Sequence, residues 1–125
     1  MMALALNELE GRLKSAWSVE TATTWTRDNP ALGQCSVTAL VVNDLLGGRI
    51  LKTRVGPNYH FYNLIDDTRI DLTSSQFGGQ IAYEDLPASR DDAFGDTTFK
   101  QYQALRRALF LETHSAGCCS FPTLG

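Results

Sequence analysis

The chain holds three cysteines and two histidines, and one of each stands where nucleophilic chemistry could be built. Cys35 opens the run CSVTALVVNDLL, directly after Gly33-Gln34. The thiolate, not the thiol, is the nucleophile, and a free cysteine with a pKa of ~8.5 supplies little of it at neutral pH. A helix N-terminus, a nearby imidazolium and partial exposure each lower that value. Cys35 gains the first if the run is a helix, because the free N–H groups and the macrodipole there favour negative charge. The same N–H groups could stabilise an oxyanion, and Gln34 is a candidate side-chain donor beside them. Against this stand plainer roles: Cys35 as a small inert core residue, and Gln34 as a packing or hydrogen-bonding group at the loop–helix junction.

The second requirement is a base. His60 lies in YHFYNLI, and the acceptor that would orient its ring is Asp71 in RIDLT. If Asp66-Asp67 make a two-residue hairpin turn, Tyr62 faces Asp71 and His60 faces Thr73, so His60 and Asp71 become diagonal neighbours on one face. A three-residue turn would put them on opposite faces unless a bulge intervened. Asp71 could equally cap the following SSQF turn. Cysteine on a helix start, histidine on a strand and aspartate on the next strand is the chain order of papain-like thiol enzymes, transglutaminase-like and NlpC-type hydrolases included.

These residues need elements to hold them. Leu6, Leu9, Leu13 and Trp17 recur at helical spacing and predict an amphipathic helix over residues 4–16. Ser18 could cap a second short helix, and RDNPALG then forms a loop leading to Cys35. Residues 35–46 are apolar on nearly every side, which predicts a covered central helix stopped at Gly47-Gly48. RILKTRV, YHFYNLI and RIDLT read as strands of an antiparallel meander, with SSQFGG supplying one helical turn. Residues 81–96 carry Pro87, Gly95 and many acids, and predict an acidic surface loop. TFKQYQALRRALFLE predicts a further amphipathic helix on the sheet, and the tail from about residue 115 is irregular. Trp17 and Trp25 are expected in the core or a lid. The expected fold is a single α+β domain over 1–125 with a papain-like core, the cysteine helix packed on a short antiparallel sheet.

A family resemblance rests on NPALGQCSVTALVVNDLLGGRIL and YHFYNLIDDTRIDLTSSQF, with Trp17 and its following residues before them. These resemble the bacterial YunG-like family, whose members carry a GQC-VTAL helix start, a His-aromatic strand and a closing DLT--QF segment. The resemblance spans about Trp17 to Phe77, roughly half the chain. It implies the Cys35, His60, Asp71 set and a fold, and implies no substrate. Where members commonly have His-Tyr-Trp-Asn, this chain has His60-Phe61-Tyr62-Asn63, a departure that keeps the aromatic character and Asn63 but is expected to reshape the pocket wall.

Composition narrows the remaining classes. At 125 residues, with 43% hydrophobic and 20% charged, the chain has the makeup of one globular domain. A net charge of −3 with scattered Lys and Arg argues against nucleic acid. The start MMALALNELEGRLK lacks the basic opening of a signal peptide, no window approaches a membrane span, and a cytoplasmic protein is expected. Cys118-Cys119 with His114 match no usual zinc spacing, and GG at 47 and 78 lacks a phosphate-cradling context; no metal and no cofactor are expected. The leading expectation is a cysteine-dependent hydrolase or acyltransferase acting on an amide, ester or thioester carbonyl of a small-molecule or peptide substrate. The competing expectations are a non-catalytic binding module on the same fold, with Cys35 structural or redox-sensing, and an interaction protein using the acidic 83–96 loop. The sequence carries no sign of oligomeric state.

Overall fold

A computed structural model describes the backbone of residues 2–114 and the side chains of residues 6–110. Helix α1 spans Met2–Ala16, α2 Cys35–Leu46, α3 Arg90–Phe94 and α4 Phe99–His114. Strands β1 (Arg49–Val55), β2 (Asn58–Ile65), β3 (Thr68–Ile70) and β4 (Leu86–Ala88) form one sheet in the order β3-β2-β1-β4, with every neighbouring pair antiparallel. The α+β class is therefore correct, as are the covered central helix and the meander.

α2 is buried at every residue from Cys35 to Val42. An apolar surface on all sides must be covered on all sides, and β2, α3 and α4 supply the cover. Val37, Leu40, Val41 and Val42 meet Phe61 and Ile65 of the sheet and Leu105 and Leu109 of α4 in one core. The helix ends at Gly47, whose N–H donates to the Asn43 carbonyl at 2.9 Å. Gly48 then has φ +75, and a Cβ there would lie 2.3 Å from the Leu64 carbonyl oxygen. Only glycine lets the chain turn this close to β2.

The loops of the meander set which way each strand faces. Val55 pairs with Asn58 around Gly56-Pro57, with φ +62 at Gly56, and Ile65 pairs with Thr68 around Asp66-Asp67, both at positive φ. The second is the two-residue turn, not the three-residue alternative. By the alternation of the ladder, Asn58, His60, Tyr62 and Leu64 direct their backbone groups toward β1, whereas Phe61, Asn63 and Ile65 direct theirs toward β3. Side chains alternate too: Phe61, Asn63 and Ile65 face α2, and His60 and Tyr62 face away from it.

Three expectations need correction. The helix over TFKQYQALRRALFLE is present as α4 but packs on α1 and α2 rather than on the sheet. Residues after Ser18 form turns rather than a second helix. Ser18 Oγ accepts from the Glu20 N–H and Thr21 Oγ1 accepts from the Ser18 N–H, and such local bonds compete with helical ones. Residues 81–96 are not a plain surface loop. They contain β4, which pairs with β1 from the sheet edge where Pro87 costs no ladder bond, and α3, whose Ser89 and Asp92 make a reciprocal capping box.

Candidate thiol site

β3 stops at Ile70, opposite Asn63. The Phe61 N–H, two residues further along β2 and aimed toward β3, thus has no strand partner. It donates instead to the Cys35 sulfur, as does the Ser36 N–H. The thiol and the Phe61 N–H are thus neighbours where the β2–β3 pairing stops. α2 delivers the thiol there: Cys35 is the first helical residue, and the helix body is fixed by its buried flanks.

Where β3 ends, the chain turns and presents Asp71. His60 Nε2 and Asp71 Oδ2 are 2.7 Å apart, both side chains almost fully buried. The diagonal pairing expected from the two-residue turn is present. Asp71 Oδ1 accepts from Thr73 N and Thr73 Oγ1, each at 3.2 Å, which holds the chain just before the SSQF turn without capping it, since that turn has no side-chain cap bond. Its two oxygens thus serve the ring and the turn entry separately. Burial pushes the Asp71 carboxyl up, but the hydrogen bond and charge of His60, with donors from Tyr83 and Thr73, outweigh it and hold Asp71 below the usual carboxylate range. The His60 ring packs between Tyr62, stacked at 5.8 Å, and the edge of Phe77 at 4.8 Å.

Among the described residues, three buried side-chain atoms have no hydrogen-bond partner: His60 Nδ1, Gln34 Nε2 and Trp25 Nε1. Two of them belong to residues next in chain to Cys35 or to its Phe61 donor. Gln34 immediately precedes Cys35, is 0% exposed, and is anchored through Oε1 by the Thr21 hydroxyl at 2.8 Å, which leaves its amide nitrogen as a held donor. His60 is 2% exposed and precedes Phe61, whose N–H holds the sulfur. With Nε2 taken by Asp71, Nδ1 is the ring nitrogen left without a partner. The structure joins His60 to Asp71 and makes no hydrogen bond between His60 and Cys35. Native proteins leave few buried polar groups unpaired, and each such group calls for an explanation.

The thiol is not the low-pKa group that its helix position predicts. Burial, to 8% exposure, pushes Cys35 up to about 12; the charges of Asp96 and Asp71 add to this, and the Phe61 and Ser36 N–H groups offset only part. Desolvation of a thiolate outweighs the helix terminus here. Cys35 therefore rests as a neutral thiol and would need a base at the moment of reaction.

The family model described as YunG protein matches residues 5–114. The chain belongs to the YunG family. A protein of Bacillus subtilis (strain 168) described as "Uncharacterized protein YunG" is 50% identical over 96 residues, 77% of this chain and 84% of the relative. No solved structure matches the chain. The YunG match runs through every element that places Cys35, His60 and Asp71, and well beyond the half-chain read from the motifs.

Gln76 links the two stretches on which the YunG resemblance rests. Gln76, from the DLT--QF segment, accepts from the Gly33 N–H at 3.3 Å through Oε1, and its Nε2 donates to Thr73 O and Thr73 Oγ1, each at 3.2 Å. One side chain thus ties the GQC loop to the turn that holds Asp71. The residue no local signal could reveal is Tyr83, whose hydroxyl donates to Asp71 Oδ2 at 2.7 Å. Asn63 is structural, donating to the Ala39 carbonyl at 3.1 Å. The Cys118, Cys119 and His114 side chains lie outside the described residues.

Proposed function

We propose that the protein is a thiol-dependent hydrolase or acyltransferase with a papain-like arrangement, acting on an amide, ester or thioester carbonyl. The observation that carries this reading is the unpartnered Nδ1 of a buried imidazole whose Nε2 is held by Asp71, next in chain to the N–H that holds the Cys35 sulfur. His60 Nδ1 takes the thiol proton as Cys35 Sγ attacks the carbonyl carbon. The oxyanion that forms is met by backbone N–H groups at the start of α2 and by the Gln34 amide. Collapse expels the leaving amine, alcohol or thiol, which takes the proton back from His60 and leaves an acyl thioester on Cys35. Water or an acceptor nucleophile then releases the acyl group. Asp71 accepts from Nε2–H throughout and fixes the tautomer.

A second reading, a binding module with an inert cysteine, is favoured by the burial and high pKa of the thiol. Incubation with p-nitrophenyl acetate separates the two. The hydrolase reading expects a nitrophenolate burst of one equivalent and an acetyl group on the Cys35 peptide by mass spectrometry, both lost in Cys35→Ala. A burst that survives in Cys35→Ala, or acetylation elsewhere alone, favours the binding module.

A further inference from the structure

Asp71 Oδ2 receives two donors, His60 Nε2 and the Tyr83 hydroxyl, each at 2.7 Å. Tyr83 reaches it from residues 81–85, a strap crossing the sheet face that carries His60 and Tyr62. Buried Thr53 anchors one part of the strap, donating to Ala82 O and accepting from Glu84 N, both at 2.9 Å. Asp85, held at φ +55, anchors the other: it accepts from the Tyr62 hydroxyl at 2.8 Å and takes Arg69 through both carboxylate oxygens. The Tyr83 ring is already packed, under the Arg69 guanidinium at 4.4 Å and against the Tyr62 edge at 4.9 Å. These ring contacts do not involve the hydroxyl, which goes to the Asp71 carboxylate.

We propose that Tyr83 is a positioning residue that sets how strongly Asp71 supports the protonated form of His60, and with it the pH range in which Cys35 reacts. The inference rests on the hydrolase reading above. A second charge-assisted donor on one carboxylate oxygen draws off negative charge and competes for its lone pairs. Asp71 therefore holds the His60 ring in place without making its protonated form too stable to return the proton to a leaving group. Burial and the Asp71 contact keep the Tyr83 phenol protonated, so it remains a donor across the working range. The other groups facing the pair are Cys35 from α2, the Tyr62 and Phe77 rings, Asp96 from the connection between α3 and α4, which acts on the thiol, and Arg69 beyond Tyr83. Tyr83→Phe leaves all of them in place.

The test is the pH profile of Cys35 alkylation by iodoacetamide, read on the Cys35 peptide by mass spectrometry, in wild type, Tyr83→Phe and His60→Ala. Wild type should show an acid limb that disappears in His60→Ala. In Tyr83→Phe that limb should move up by roughly half to one pH unit, since the protonated imidazole gains. Incorporation of 3-fluorotyrosine, a stronger donor, should move it down without altering packing. A His60-dependent limb that neither change moves overturns the role of Tyr83 and leaves the hydrolase reading standing. A profile with no His60-dependent limb overturns both.

Discussion

Cys35 shows two local influences in opposition. The helix start and two backbone donors favour a thiolate, whereas burial and two carboxylates oppose it, and the second set wins. A raised value means the folded state holds the thiol proton more tightly than the unfolded chain. The stability this gives is complete below the ordinary value of 9.0 and is lost as pH rises toward about 12. Tyr62 and Tyr83, also raised, add to the alkaline loss, so the contrast with Cys35→Ser isolates the thiol. Urea unfolding at pH 8 and pH 10.5 should show wild type losing stability more steeply than Cys35→Ser, by about 1–2 kcal/mol over that interval. Asp71 has the opposite sign: its lowered value contributes stability above 3.8 that is lost as pH falls below it. Asp71→Asn should accordingly flatten the acid side of the stability profile, measured by the same method between pH 3 and pH 6. The three residue types and their chain order were legible because they are chemically unusual. The thiol's burial was not, since it depends on where β3 happens to end.

Among elements, α2 and the β1–β2–β3 meander were readable from local pattern: an all-round apolar run before two glycines, then short branched and aromatic segments separated by turn residues. The strap and β4–α3 were not, because acidic residues and Pro87 resemble solvent-facing loop. Their order comes from distant partners, Thr53, Tyr62 and Arg69. The Ser89-x-x-Asp92 spacing was the one local sign of α3. Gln76 offers the clearest test at this scale, since it bridges two elements through polar contacts alone. Gln76→Ala should cost about 1–2 kcal/mol in urea unfolding and slow Cys35 alkylation while leaving its acid limb in place. A variant with wild-type stability and reactivity would show that the bridge between the GQC loop and the Asp71 turn is idle.

At the scale of the molecule, family membership and the α+β sheet are shown, and among the described residues no helix is long and apolar enough to cross a membrane. The substrate was never legible, because the groups that would meet it present only general chemistry: an amide donor, an imidazole nitrogen and a thiol. What the whole fold contributes is convergence. A helix start and a strand meet at the Cys35 thiol, and the same strand, a turn and a strap meet at the His60–Asp71 pair. The central claim, that His60 takes the proton of Cys35, is tested most directly by the second-order rate of Cys35 alkylation with iodoacetamide at pH 7. His60→Ala should lower that rate by about 100-fold, read on protein whose native fold is first verified by circular dichroism, because removing one partner of the buried pair also costs stability. Equal rates in the two proteins would contradict the account and leave Cys35 a core residue.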